Sequence, residues 1–261
     1  MPPPPATAIA IDWSGAAKGA GKRICLAEVV GDDLVRLETG WTTDRLTSSL
    51  IHRAEDDPSI VVGLDFAFSF PVWFVQELGG TIESVWLAAE RSGESWLRKR
   101  QSPFWGWAGS TRPATDEARP EFRKTDLALA GAYGRPKSIF QVSGPGTVGT
   151  GSIRGMPVLA RLRTAGFAIW PFDAPALPLI VEIYPRALTG PVVKSDPSRR
   201  REYLASKGWP LNADQRTLAA DSEDAFDAAL SARAMARNSQ RFVSLPAPEA
   251  DKELEGKIWV P

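Results

Sequence analysis

Acidic side chains close several apolar runs of this sequence. Asp12 follows "AIAI", Asp65 follows "IVVGL", and Glu182 lies near the end of "LPLIVEIYP". In "SEDAFDAALSARAMA", Asp224 and Asp227 are three residues apart, a spacing that places both on one face of a helix. Carboxylates held close together repel one another and lose hydration. If these acids meet, the cluster therefore needs cations to neutralise it.

The donor types predict which cations would bind. His52 is the only histidine and Cys25 the only cysteine, which excludes a histidine-rich or cysteine-rich zinc site and an internal disulfide. Carboxylate oxygens alone suit Mg²⁺ or Mn²⁺. Two such ions about 4 Å apart can activate a water and stabilise the leaving oxygen of a phosphodiester. The acids therefore predict a metal-dependent nuclease with water as nucleophile and no covalent intermediate.

Apolar patterns predict an α/β core that positions these acids. Strands are predicted at "ATAIAIDW", "KRICLAEVV", "DLVRLETGW" and "SIVVGLDFAF", with a helix over 44–55 before the fourth strand. Gly31, Asp32 and Asp33 predict a tight turn between the second and third strands. Sites in open α/β sheets form at the carboxyl ends of strands. That rule gives a reason for the acids at the strand ends.

The strand pattern is lost in a long segment after the fourth strand. This segment, at about 71–172, is rich in Trp, Gly, Pro and Arg. The core resumes with "FAIWPF" and "LPLIVEIYP", and "KIWVP" closes the chain. We therefore expect one domain over residues 1–261, with a mixed five-stranded sheet flanked by helices and an insertion at 71–172. Helical patterns are found near 82–97, 156–165, 196–207 and 222–237.

A basic and aromatic stretch, "WLRKRQSPFWGW", lies within the predicted insertion. Residues 98–137 contain nine Lys or Arg and four Asp or Glu. Cations for phosphates and flat rings for stacking predict contact with single-stranded or distorted nucleic acid. A cationic helix end beside a small aromatic core explains the stretch equally well. The candidate substrate-binding residues are Arg98, Lys99, Arg100 and Trp105, with Trp107 beside them.

Glycines recur in "VSGPGTVGTGS", residues 142–152. Backbone amides of such a run could hold a phosphate. The run lacks the Lys-Ser/Thr ending of a P-loop, and no apolar strand clearly leads into it. A flexible loop is therefore the favoured interpretation.

Three consecutive arginines, Arg199, Arg200 and Arg201, follow a turn in "SDPSRRREYL". Charged runs of this kind are usually found on a solvated helix face. We expect these side chains to be exposed, and a phosphate contact is the alternative.

Amino-acid composition and net charge limit the classes of protein to which this chain could belong. Hydrophobic residues make up 43% and charged residues 24% of the chain, which predicts a globular protein with a full core. The 31 Lys and Arg residues balance the 31 Asp and Glu residues, so any attraction for nucleic acid must be local, and no membrane partner is predicted. No run approaches the roughly 18 apolar residues of a membrane helix, and "MPPPPATA" lacks the features of a signal peptide. A cytoplasmic location is the expectation.

Four stretches resemble one known family. "AIDWSG", "GLDFAFSFP", "EIYPRA" and "EDAFDAALSARAMA" are similar to the domain-of-unknown-function 429 family, described as predicted RNase H-like nucleases. The resemblance covers the core, roughly 7–70 and 176–261. RNase H-like enzymes, including the Holliday-junction resolvases, carry an acid on the first strand, another on the fourth, and one or two on the last helix.

The resemblance implies an RNase H-like core and a role for each acid. Asp12 would bridge two metal ions, Asp65 would hold one, and Asp227 with Asp224 would complete the shell. The resolvase pattern does not require an acid at Glu182. The histidine that some RNase H-like enzymes place near the metals has no obvious equivalent here. The substrate, DNA or RNA, and the oligomeric state are left open.

Two other functions remain alternatives. A phosphotransferase of the sugar-kinase and actin type shares such a core, and its first strand also runs into Asp and Gly-Ser/Thr at a phosphate. That class normally needs two copies of the core to enclose ATP, and only one is found here. The second alternative is a catalytically silent RNase H-like binding module that keeps the acids for structural reasons.

Overall fold

The computed structural model describes residues 3–15, 24–106, 112–114, 116–144, 146–248 and 254–261. These residues form a mixed sheet whose strands lie in the order β3-β2-β1-β4-β6-β5, with β7 also paired to β6. β2 is antiparallel to both β1 and β3, whereas β1 is parallel to β4, and β6 is parallel to β4, β5 and β7. The strands are β1 (Thr7–Asp12), β2 (Cys25–Val30), β3 (Asp33–Glu38), β4 (Ile60–Leu64), β5 (Ala168–Ile169), β6 (Leu179–Ile183) and β7 (Ile258–Trp259).

The described residues thus confirm an α/β architecture with a mixed sheet, but the predicted count of five strands is wrong. The sheet has seven strands, and two of them, β5 and β7, are only two residues long. Both pair with β6 along the edge that β4 leaves open. Strands this short carry no periodic pattern, so their pairing depends on where the surrounding chain places them.

Helices flank both faces of the sheet. The predicted helix over 156–165 starts earlier, at Gly149, because part of the glycine-rich run is helical. Among the helices of the described residues, none combines the length and apolar character that crossing a lipid bilayer requires. The helices are α1 (Thr43–Asp56), α2 (Val72–Glu77), α3 (Ile82–Lys99), α4 (Lys124–Leu129), α5 (Gly149–Thr164), α6 (Pro185–Thr189), α7 (Pro197–Ser206), α8 (Ala213–Asp221) and α9 (Glu223–Arg237), followed by a 3₁₀-helix (Ser239–Ser244).

Alternation along β1 divides the core between the two faces. Ile9 and Ile11 point to the face covered by α1, α3 and α5, whereas Ala8 and Ala10 point to the face covered by α7, α8 and α9. The segment between β4 and β5 adds aromatic rings to the first of these cores, including Phe70 and Phe140. It therefore packs on the sheet rather than standing away from it.

Small residues let α9 lie very close to the sheet. Ala225, Ala228 and Ala229 of the helix are buried against the alanines of β1 and β2. In the neighbouring strand, a Cβ atom at Gly63 would lie 2.7 Å from the Sδ atom of Met235. The close approach fixes the position of α9, and its first turn lies at the carboxyl end of β1.

Candidate functional site

The first two acids stand side by side at the end of adjacent strands. β1 and β4 are parallel, and Ile11 pairs with Leu64. The next residues are Asp12 and Asp65, and the backbone N–H of Asp65 donates to the carbonyl of Ile11 at 3.1 Å. The register of one parallel pair therefore brings together two residues that are far apart in sequence. Both carboxylates are partly accessible to solvent.

The other two acids come from the start of α9. Ser222 caps this helix, since its side chain accepts a hydrogen bond from the backbone N–H of Ala225 at 3.2 Å. Asp224 lies in the first turn, and Asp227 follows on the same face and is buried. The positive end of the helix dipole favours negative charge at this place.

The acids perturb one another strongly. Burial raises the pKa of Asp12 well above its usual value, and the charges of Asp65, Asp224 and Asp227 raise it further. Burial is also the main reason that the pKa of Asp65 rises to about 8, with repulsion from Asp227 adding to it. The pKa of Asp227 rises to about 6. Asp12, Asp65, Asp224 and Asp227 therefore lie close enough for their charges to interact.

A lysine that the sequence pattern did not single out lies in this cluster. The Nζ atom of Lys194 donates to both carboxylate oxygens of Asp227, at 2.6 and 2.9 Å. Its charge lowers the pKa values of Asp12, Asp65 and Asp227. Lys194 stands in an irregular segment between α6 and α7, so neither periodicity nor a motif could have placed it here.

A buried arginine positions the segment that carries Lys194. The guanidinium of Arg200 donates to the carbonyls of Lys194 and Ala220, the second at 2.8 Å. Arg200 is therefore buried, and the prediction of a solvated helix face is wrong for this residue. Its neighbours Arg199 and Arg201 are exposed, as predicted, and pair with acids on the surface.

Glu182 lies beside the cluster, but its carboxylate is engaged elsewhere. Arg123 donates to both of its oxygens, at 2.6 and 2.9 Å, and the backbone N–H of Phe68 donates to Oε2 at 3.0 Å. The same guanidinium also binds Asp126. All three charged side chains are almost fully buried. Glu182 thus joins β6 to the segment that precedes α4.

A cleft of about 620 Å³ opens beside the acid cluster. Asp12 and Asp224 line it, together with Gly144, Gly146 and the first turn of α5 from the glycine-rich run at 142–152. A cavity of this size accommodates a small-molecule ligand or a short stretch of a polymer. The described lining residues are Asp12, Trp13, Ser14, Gly15, Gly144, Gly146, Thr147, Thr150, Gly151 and Asp224.

Close backbone contact joins the two sides of the cleft. A Cβ atom at Gly15 would lie 2.3 Å from the backbone nitrogen of Gly151, so only glycine fits where the chain after Asp12 crosses the start of α5. Trp13 is 8% exposed, and its indole Nε1 atom is buried. The buried ring of Trp13 therefore supports the wall of the cleft beside Asp12.

The predicted substrate-binding residues lie outside this lining. Arg98 and Lys99 are exposed at the end of α3, and Arg100 adopts a left-handed conformation just after it. Trp105 is half-buried in a different pocket, under the guanidinium of Arg112 at 5.5 Å from the ring centre. Trp107 lies outside the described residues. The described cleft is thus formed without the basic and aromatic stretch.

The chemistry of the acid cluster suits a hard divalent cation. Within the described part of the chain, no hydrogen bond reaches the side-chain oxygens of Asp12 or Asp65, so these oxygens remain available as ligands. The raised pKa values show that Lys194 alone does not compensate the negative charge. Among the described residues, however, no three acidic, histidine or cysteine side chains are already placed as a metal-ligand group.

Comparisons with known proteins leave the family open. A scan against protein-family models, a search of curated proteins and a search of solved structures each gave no match. The resemblance to the domain-of-unknown-function 429 family therefore stays a prediction.

The Arg123–Glu182 pair should dominate the stability of this region. We expect Arg123→Met to lower the free energy of unfolding by about 3–5 kcal/mol, because it leaves two buried carboxylates without a counter-charge. Arg161→Met, which breaks an exposed pair with Asp44, should cost less than about 1 kcal/mol. Denaturant unfolding measures both. Equal losses would show that Glu182 does not depend on Arg123.

Asp65 should make the protein less stable as the pH rises. Its pKa is about 8 in the folded protein, above its ordinary value of 3.8. Between these values the folded state binds more protons than the unfolded state, so the free energy of unfolding falls as the pH increases. We expect Asp65→Asn to be more stable than the unaltered protein at pH 8, with the difference shrinking towards pH 4.

The measurement is a series of denaturant melts from pH 4 to 9 with a chelator present. Asp44→Asn makes the same change at an exposed position of α1 and serves as the control. A difference between Asp65→Asn and the unaltered protein that is constant across the series would contradict the assigned burial of this charge.

Proposed function

We propose that this chain hydrolyses phosphodiester bonds of nucleic acid, either DNA or RNA, with Mg²⁺ or Mn²⁺ as cofactor. One observation carries the proposal: Asp12, Asp65, Asp224 and Asp227, from three distant segments, lie close enough for their charges to interact, and Asp12 and Asp224 line the cleft. A metal-free protein gains little from concentrating like charges in this way, since each raised pKa is a loss of stability at neutral pH.

The four aspartates would hold the metal ions. Asp12 interacts electrostatically with Asp65, which follows β4, and with both acids of α9, so its carboxylate would be shared by the ions, as the resemblance implies. Bound there, divalent ions supply a polarised water and a counter-charge for the oxygens of the phosphodiester. Glu182 is not part of the proposed ligand set, because Arg123 and Phe68 already satisfy its oxygens.

Side chains and backbone of this protein would bind and orient the substrate. The glycines of the 142–152 run present backbone without side chains, which allows a phosphate to approach closely. Lys194, which contacts Asp227, places a positive charge at the cluster and offsets part of the repulsion when a polyanion enters.

The finer fold assignment also belongs to this proposal. We propose that the core is RNase H-like, with the segment between β4 and β5 as an insertion. The supporting observation is the order of the acids along a mixed sheet: the end of β1, the end of β4 and the start of the last α-helix. This order agrees with what the resemblance implies.

A catalytically silent binding module is the second candidate function. The observation that favours it is the Lys194–Asp227 pair, because a resident ammonium group is what an acid cluster without metal would use. Among the described residues, no three acidic, histidine or cysteine side chains are placed to hold a metal ion, which agrees with a binding module. The phosphotransferase alternative stays a prediction.

Asp12 should be indispensable for cleavage. We expect Asp12→Asn to abolish Mn²⁺-dependent cleavage of a panel of single-stranded, double-stranded and branched substrates, because it removes the carboxylate shared by the proposed ions. The assay follows labelled substrates on denaturing gels, and a thermal melt checks that the variant folds. Asp44→Asn should cleave like the unaltered protein. Full activity of folded Asp12→Asn would remove the assigned role.

Metal binding should be visible as stabilisation. Ions that bind only the folded state raise the free energy of unfolding, by about 2.7 kcal/mol at a concentration one hundred times the dissociation constant. We expect millimolar Mn²⁺ to raise the melting temperature, and Asp227→Asn to reduce the rise. Lys194→Met should increase it, because Asp227 then loses its competing ammonium group. An unaltered melting temperature in Mn²⁺ would favour the silent module.

A further inference from the structure

Tyr184 follows β6, which lies on the side of β4 opposite to β1. In the parallel register of β4 and β6, Leu64 pairs with Glu182. Asp65 comes directly after the first of these residues, and Tyr184 comes two residues after the second. Tyr184 is half-buried, and both burial and the charges of Asp65 and Asp227 raise the pKa of its hydroxyl. The hydroxyl is therefore within electrostatic range of the acid cluster.

Two basic residues lie close to Tyr184. The charge of Arg186 acts on the tyrosine hydroxyl and lowers its pKa. Arg186 belongs to α6, which packs against α9, and a Cβ atom at Gly134 would lie 3.6 Å from its Nε atom. Lys137, three residues after that glycine, lines a recess of about 30 Å³ together with Asp65 and Tyr184. We refer to Tyr184, Lys137 and Arg186 as the basic flank.

The two cations of the basic flank are exposed and not neutralised. Within the described part of the chain, neither an ion pair nor a hydrogen bond reaches the side chain of Lys137 or Arg186. The segments that carry them are also free of acids, since residues 127–172 and 183–195 contain no Asp or Glu. Positive charge that no carboxylate of these segments compensates is available to an anionic ligand.

We propose that the basic flank binds a phosphate of the nucleic acid strand, beside the phosphodiester bond that lies at the acids; this inference rests on the proposed function. Lys137 and Arg186 would contact the phosphate oxygens, and the hydroxyl of Tyr184 would donate to one of them. Because the pKa of Tyr184 is above its ordinary value of 10, this hydroxyl keeps its proton at neutral pH. Contacts of this kind position a strand without reading its sequence.

The position of the basic flank suits a polymer rather than a small anion. The cleft lies at Asp12, which follows β1, and the basic flank lies at Tyr184, which follows β6, with β4 and Asp65 between them. The described lining of the cleft contains no Lys or Arg. A strand that lies across the acids extends beyond the cleft, so its next phosphates need a counter-charge from another surface. The basic flank supplies that charge.

Binding in a chelator tests the basic flank independently of cleavage. Fluorescence anisotropy follows a labelled twelve-nucleotide single strand over a series of salt concentrations, and thermal melts check that each variant folds. We expect Lys137→Gln and Arg186→Gln each to weaken binding at low salt by about fivefold, the upper range for one exposed ion pair. Each should also reduce the slope of log K against log salt concentration by about 0.7, because one phosphate contact is lost.

Two further variants separate the hydroxyl group and the overall charge from these contacts. Tyr184→Phe should weaken binding but leave the salt slope unaltered, because it removes a donor and no charge. Lys207→Gln removes an exposed cation at the end of α7 and should change neither quantity. Two residues later, Trp209 donates to the carbonyl of Asp32 in the turn between β2 and β3, at the opposite end of the sheet from the acids.

Cleavage distinguishes this inference from the proposed function. With Mn²⁺, Lys137→Gln and Arg186→Gln should raise KM more than they lower kcat, because their contacts are made before the reaction begins. Weaker binding by these variants, without cleavage by the unaltered protein, would support the basic flank and sink the nuclease. Cleavage by the unaltered protein, with variants that bind and cleave equally well, would support the nuclease and overturn the basic flank.

Two other results would also overturn the basic flank. One is that the unaltered protein does not bind the strand in the chelator, since contacts from Lys137 and Arg186 need no metal. The other is displacement of the strand by millimolar inorganic phosphate at constant ionic strength, which would assign the same side chains to a small anion.

Discussion

Repulsion among carboxylates at one edge of the sheet is the constraint around which the site is built. Asp12 and Asp65 come from adjacent parallel strands, and partial burial raises the pKa of both carboxyl groups. Two features reduce the cost: the start of α9 supplies the positive end of a helix dipole, and Lys194 supplies an ammonium group. Neither restores ordinary pKa values, so the pKa of Asp12 and that of Asp65 stay above their usual range.

Acids at the ends of neighbouring strands have opposite environments here. Glu182 on β6 is satisfied by a buried arginine and a backbone N–H, and it holds the chain before α4 against the sheet. Asp65, after β4, accepts no hydrogen bond within the described residues and faces other acids. The position of an acid at the end of a strand therefore does not show whether the acid is structural or a candidate metal ligand. What distinguishes the two is the group that each carboxylate contacts, and tertiary structure determines that group.

This distinction explains how much of the molecule the sequence could predict. The long strands, helix α1 and the turn at Gly31 follow from local periodicity and turn chemistry, and the acids of the cluster follow from their places on those elements. Lys194 and Arg123 could not be found in this way. Each reaches an acid more than 30 residues away, from segments that carry no periodic signal. The two-residue strands were missed for the same reason.

Hydrogen bonds also hold the glycine-rich run of the acid cleft against the chain around Trp105. The backbone N–H of Trp105 donates to the carbonyl of Phe140 at 2.9 Å, and Val142 donates back to Trp105 at 2.8 Å. The hydroxyl of Thr150, at the start of α5, donates to the carbonyl of Val142 at 2.7 Å. The start of α5 is therefore held from two directions, by Val142 and by the chain after Asp12, where Gly15 meets the backbone of Gly151. Because Gly151 and Thr150 line the cleft beside Asp12 and Asp224, the same contacts set the shape of the cleft next to the acids.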